Sequence, residues 1–229
     1  MRGFHRAGSG DCFRAARVCY DAGPISERMQ AQPLNIFVIL GSTRTNRFSE
    51  KPGAYIFDEL KKREGVRAEL IDLRDWPLPF YDEAESPSYL KGRYTNELAK
   101  KWAAKIAEAD GFIIILPEYN HGYPAVLKNA FDWVYSEWNN KPVAFVGYGS
   151  ALGARSMEQM RQVAVELQMV PVRNAIHIPS AVYMAVMKEN APVSPELFKP
   201  LREPTDRVGG LFDQLLWFAR VLKAARLAK

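Results

Sequence analysis

The stretch Gly111-Phe112-Ile113-Ile114-Ile115-Leu116-Pro117-Glu118-Tyr119-Asn120-His121-Gly122-Tyr123-Pro124 decides the fold, and it runs on through Ala125-Val126-Leu127-Lys128-Asn129-Ala130-Phe131-Asp132-Trp133. A near-continuous apolar run closed by turn residues reads as a strand buried on both faces, and Pro124 suits the first turn of a following helix. The polar loop 117–123 then sits at the carboxyl end of a central strand, where open α/β sheets bind their ligands.

The same strand–loop–helix unit recurs on either side. Leu34 to Leu40 reads as a buried strand running into Gly41-Ser42-Thr43-Arg44-Thr45-Asn46-Arg47-Phe48-Ser49. A helix from about Glu50 to Arg63 follows, with Ser49 as its N-cap, Pro52 in its first turn and Gly65 near its stop. A strand over 66–73, a long loop over 74–93 and a helix over 96–109 capped by Thr95 lead into the central strand. The apolar positions Leu98, Trp102, Ile106 and Ala109 recur at helical spacing. A fourth strand over 142–147 is followed by Tyr148-Gly149-Ser150-Ala151-Leu152-Gly153-Ala154-Arg155 and a helix to about Leu167; a fifth strand covers 170–178. Residues 179–204, punctuated by proline, are expected to be irregular, and Thr205 to open a last helix reaching about Ala225. Alternating strands and helices imply right-handed crossovers and a doubly wound, five-stranded parallel sheet with helices on both faces, in the order 2-1-3-4-5.

Residues 1–33 mix Arg, Gly and Ser without a period and read as a loosely structured extension, with at most a short helix over 11–20; residues 34–229 form the domain. Met29 is an alternative start. The 229 residues, 48% hydrophobic and 25% charged, are those of an ordinary globule. No apolar run approaches the roughly 20 residues needed to cross a bilayer, and no apolar block follows the first arginines, so neither a membrane span nor a secretory leader is expected, and a cytoplasmic location is the default. A net charge of +5, spread without a basic tract, suits small anions and not nucleic acid. Cys12 and Cys19 precede Met29, so they are either a disulfide or two free thiols and lie outside the domain. His5 and His177 lack partners at ligand spacing, so no metal site is expected.

Three loops follow the first, third and fourth strands and converge on one rim of the sheet. The first offers Arg44, Arg47 and the hydroxyls of Ser42, Thr43, Thr45 and Ser49 ahead of a helix, which is a cradle for a terminal phosphate. Taken alone it reads equally as a hydroxyl-rich turn with solvated arginines, and it lacks the endings of triphosphate and dinucleotide loops. The second can present backbone amides and Asn120 to a polar ring edge, or can be a structural turn. The glycines of the third allow close backbone approach or mark a surface turn.

From Leu34 to about Pro179 the chain resembles the NAD(P)H-dependent FMN reductases of the flavodoxin-like superfamily. Three strings carry the resemblance: Gly41-Ser42-Thr43-Arg44 with Arg47; Pro117-Glu118-Tyr119-Asn120 through Leu127-Lys128-Asn129-Ala130 and Asp132-Trp133; and the glycine loop ending at Arg155. The resemblance implies that FMN is bound, its phosphate by Ser42, Thr43, Arg44, Arg47 and Ser49. Pro117, Glu118, Tyr119, Asn120 and Gly122 would border the isoalloxazine on one side, and Gly149 and Ser150 on the other. Many relatives have a second glycine where Leu152 precedes Gly153 here. The implied activity is ping-pong hydride transfer from NADPH or NADH through FMN to a small acceptor: a quinone, an azo or nitro compound, a metal oxyanion or free flavin. No side chain is assigned as catalytic. His121 is either a proton donor to the acceptor or an ordinary loop histidine. The competing reading is a non-enzymatic electron carrier, and the calculated pI of 9.1 speaks against it. Relatives commonly form homodimers or homotetramers; Glu118, Trp133 and Leu215 to Phe218 are either subunit contacts or intramolecular core.

Overall fold

The computed structural model describes residues 32–189 and 193–228. The expectations for the extension, including the helix over 11–20, His5, Cys12, Cys19 and Met29, fall outside the described residues.

Five parallel strands, β1 (Leu34–Leu40), β2 (Val66–Asp72), β3 (Gly111–Pro117), β4 (Pro142–Tyr148) and β5 (Val170–His177), lie in the order β2-β1-β3-β4-β5. Among the described residues seven α-helices connect or follow them: α1 (Glu50–Lys61), α2 (Pro87–Leu90), α3 (Glu97–Glu108), α4 (Ala125–Asp132), α5 (Ala154–Glu166), α6 (Ser180–Lys188) and α7 (Arg207–Leu227). β3 and β4 are buried at every position, as their unbroken apolar sequences require of strands covered on both faces. Alternate side chains feed two cores. Ile36, Val38, Ile113 and Ile115 pack under α1, α6 and α7, whereas Phe37, Ile39, Phe112 and Ile114 pack under α3, α4 and α5.

Local chemistry corrects several expectations. The cap of α3 is Asn96, whose side chain accepts from the amides of Leu98 and Ala99, while Thr95 is bonded to Glu83. Ser49 occupies the cap position of α1 without a capping hydrogen bond, Pro124 is the cap residue of α4, and Asp206, accepting from Gly209, caps α7 in place of Thr205. The loop over 74–93 contains the end of a 3₁₀ turn (Leu73–Asp75) and α2. Residues 179–204 are the largest correction. They hold α6 and a 3₁₀ helix (Pro195–Leu201), because Val182, Val186, Phe198 and Leu201 find buried places in the first core.

β5 is an edge strand and carries a bulge: Val143 faces Pro171, but Phe145 faces Ala175. Side chains occupy three backbone groups at the bulge. Arg161 donates to the carbonyls of Val172 (2.8 Å) and Arg173 (3.2 Å), and the Asn174 amide donates to Gln214 (2.7 Å).

Candidate functional site

The three loops meet, as the strand order requires, at the carboxyl ends of β1, β3 and β4. A cleft of about 350 Å³ opens between them, within the range of small-molecule sites. Arg44, residues 117–119 and residues 148–150 wall it. The remaining wall is Ser180, Tyr183 and Met184 of α6, which the sequence reading missed because it assigned that segment no helix. A larger hollow of about 770 Å³ lies beneath Arg161, Arg173 and Arg207 at the β5 edge; it is a trough left by the blunted strand and joins none of the three loops.

The two arginines of the first loop separate sharply. Arg44 is exposed, has no acidic partner among the described residues, and lies with its guanidinium carbon 5.6 Å from the centre of the Tyr119 ring. Arg47 is buried beneath the loop, paired through both Nη atoms with Asp72 and through Nε with Glu50 (2.9 Å), and it also donates to the Ser42 carbonyl. The residue expected from the sequence to meet the phosphate thus has its guanidinium taken up by Asp72, Glu50 and the Ser42 carbonyl, which braces the loop from within. Arg74, unnoticed in the sequence, braces the loop from outside by donating to the carbonyls of Thr43 and Arg44 and to Glu50 (2.8 Å). Burial pushes the Asp72 carboxyl up, but the bonds from Arg47 and the Arg74 amide outweigh it and hold its pKa below the ordinary value.

Ser42 is buried and shares a hydrogen bond of 2.8 Å with the Tyr119 hydroxyl, so the first and second loops are joined. Thr43 lines a separate hollow with Arg74 and Trp76. Ser49 is fully buried and its Oγ has no hydrogen-bond partner among the described residues. It neighbours the Tyr148 phenol, but the geometry between them falls short of a hydrogen bond.

The second loop is a tight reversal: the amides and carbonyls of Tyr119 and Gly122 bond reciprocally (2.8 and 3.0 Å), with Asn120 and His121 between them at φ of 48° and 70°. Positive φ at both central positions is the hairpin turn that asparagine favours. This places Asn120 and His121 at an exposed tip, and Gly122 beside Gln159, all outside the cleft lining. The Glu118 carboxylate turns away from the cleft to Arg155, accepting from its side chain and its amide (3.1 Å). Burial raises the Glu118 pKa, but Arg155 offsets this and the net displacement is downward. Arg155 Nη1 lies 2.6 Å from His121 Nε2. A guanidinium can only donate, so Nε2 accepts and the ring proton sits on Nδ1.

In the third loop Gly149 (φ 139°) and Gly153 (φ 74°) adopt backbone conformations that favour glycine, and a Cβ on Gly153 would fall 2.7 Å from the Tyr148 amide nitrogen. Leu152 is held at φ 57° without being glycine. The motif residue Asn129 bonds to the amide of Tyr81 and the carbonyls of Leu78 and Pro79, and Trp133 Nε1 donates to Pro79, so this part of the string pins the loop over 74–93. Trp133, Leu215 and Leu216 are buried within the chain, and Glu118 is taken up by Arg155; of the residues weighed as subunit contacts, Trp217 is exposed. Among the described residues no cluster of potential metal ligands occurs and no helix is long and apolar enough to cross a membrane.

The family model for NADPH-dependent FMN reductase matches residues 34–182. An NAD(P)H-dependent FMN reductase of Schizosaccharomyces pombe is 40% identical over 146 residues, which cover 63% of this chain and 73% of that protein. The 2-hydroxy-1,4-benzoquinone reductase of a Burkholderia species is 33% identical over 145 residues, covering 60% and 73% of the two chains. Among solved structures, FerB of Paracoccus denitrificans, a flavoenzyme NAD(P)H:(acceptor) oxidoreductase, superposes with a TM-score of 0.60 at 22% identity over 82% of this chain and 98% of its own. At that identity the likeness establishes the flavodoxin-like fold.

Proposed function

The chain belongs to the NADPH-dependent FMN reductase family, and from that premise we propose that it binds FMN in the three-loop cleft and reduces a small acceptor, with quinones as the leading class. The observation that carries this reading is the unsatisfied Ser49 Oγ, buried at the N-terminus of α1 next to the loop that holds the unpaired Arg44. A buried hydroxyl without a partner costs free energy, and a phosphate oxygen at a helix N-terminus would satisfy it. The residues present therefore fit the group. Arg44 and Ser49 would hold the phosphate, with Arg47 and Arg74 keeping the loop in shape. The backbone of residues 117–119 and 149–150 would border the ring.

When bound, FMN supplies the hydride relay between a reduced nicotinamide and the acceptor. The protein's part is to position both and to exclude water. NAD(P)H and acceptor would use one slot in turn, which gives ping-pong kinetics. His121 takes no proton-donor role, since it stands at the exposed tip outside the cleft lining with Nε2 engaged by Arg155. The Burkholderia relative's name motivates the choice of quinone. We further infer pairing of subunits, to which the exposed Trp217 is suited.

The test is the visible spectrum of the purified protein before and after anaerobic NADPH. The expected result is a flavin band that bleaches and returns when a quinone is added. Folded protein that takes up no FMN from an excess would overturn the reading.

A further inference from the structure

We propose that α6 is a selective wall of the cleft, with Tyr183 and Met184 stacking against planar aromatic acceptors; the proposal rests on the cleft being the flavin site. The family match ends at residue 182, so these two residues lie beyond the segment that the family describes. They nevertheless face the same space as residues 117–119 and 149–150, the loops that would border the ring.

The wall is built, not incidental. The Tyr183 ring packs 4.5 Å from Phe48 and runs nearly parallel to Tyr148 (6.4 Å between centroids, 21° between planes), so an aromatic surface continues from the third loop onto α6. Met184, 55% exposed, extends this surface with a polarizable thioether, a group suited to flat rings of varied outline. The helix is fixed from beneath by Val182 and Val186, buried in the first core. It is also tied at its C-terminal end, where Lys51 Nζ donates to the carbonyls of Val186 and Glu189, each at 2.7 Å. Lys51 stands in the first turn of α1, so the helix that opens at the phosphate cradle also holds the wall.

An acceptor that stacks gains from this wall, and one that takes electrons without a ring does not. The experiment compares FMN-loaded wild type with Tyr183→Ala, Tyr183→Phe and Met184→Ala. The oxidised proteins are titrated with naphthalene-2-sulfonate, a planar and redox-inert probe, read by perturbation of the visible band. Turnover with 1,4-naphthoquinone and with ferricyanide is then measured. Expected are a Kd about tenfold weaker in Tyr183→Ala, recovery in Tyr183→Phe, a smaller loss in Met184→Ala, and an approximately tenfold fall in the naphthoquinone to ferricyanide ratio of kcat/KM. Equal Kd values in wild type, Tyr183→Ala and Met184→Ala, in proteins that carry FMN, would overturn the wall while leaving the flavin reading standing. A wild type that takes up no FMN would overturn both.

Discussion

Two arginines three positions apart look alike in the sequence and do different work. Arg44 is free to meet an anion, so Arg44→Ala should weaken FMN binding by about ten- to a hundredfold, the equivalent of about 1.5–3 kcal/mol for a charged hydrogen bond, with little change in melting temperature. Fluorescence titration of free flavin checks it. Arg47→Ala should act in the opposite sense: it strips Asp72 of its partner and destabilises the fold by about 2 kcal/mol in urea, since removing one member of a buried pair leaves the other charge unmatched. The sequence could not separate them because the deciding residue, Asp72, is remote in the chain and reaches Arg47 through the β1–β2 pairing. Leu152 was legible as a departure from the family pattern; the structure supplies its cost. A branched side chain in the left-handed region is strained by about 1 kcal/mol, so Leu152→Gly should raise the urea midpoint.

The elements were readable where periodicity was strong and unreadable where neighbours decide. β3 and β4 announced themselves as unbroken apolar runs, β1 as a run interrupted only by Asn35, and α1 and α3 by their spacing. α6 did not, because it is short, follows Pro179 directly and is apolar on most sides; it is a helix because the first core accepts Val182 and Val186. At the end of α3, Lys141 shows what an element's terminus can hide. Its buried ammonium donates to the carbonyls of Ile106 (2.8 Å) and Ala107 (3.1 Å), and burial, helped by Arg226, pulls its pKa down to about 7. In the unfolded chain the value is about 10.4, so between pH 7 and 10.4 the unfolded state binds the extra proton and stability rises with pH. The difference in unfolding free energy between wild type and Lys141→Met should therefore shift in favour of wild type by about 2 kcal/mol from pH 7 to pH 9. Urea titrations at the two pH values measure it.

At the scale of the molecule, two cores on either face of one sheet leave three loops at a single rim, and that much follows from the alternation of strands and helices. The ion pairs that hold those loops do not follow from it, since Arg47–Asp72 ties the first loop to the end of β2 and Glu118–Arg155 ties the second loop to α5. Both carboxylates have folded pKa values below their unfolded ones, so their stabilisation is complete above the unfolded value near 4 and fades as pH falls through the lower folded values. Glu118→Gln should accordingly lower stability at pH 7 and make little difference at pH 2, as followed by circular dichroism. The bulged rim of β5 has a consequence for how molecules meet. With the carbonyls of Val172 and Arg173 and the amide of Asn174 already engaged by Arg161 and Gln214, the bulged stretch is a poor template for a foreign strand. A second sheet would have to break those bonds before it could add to that flank.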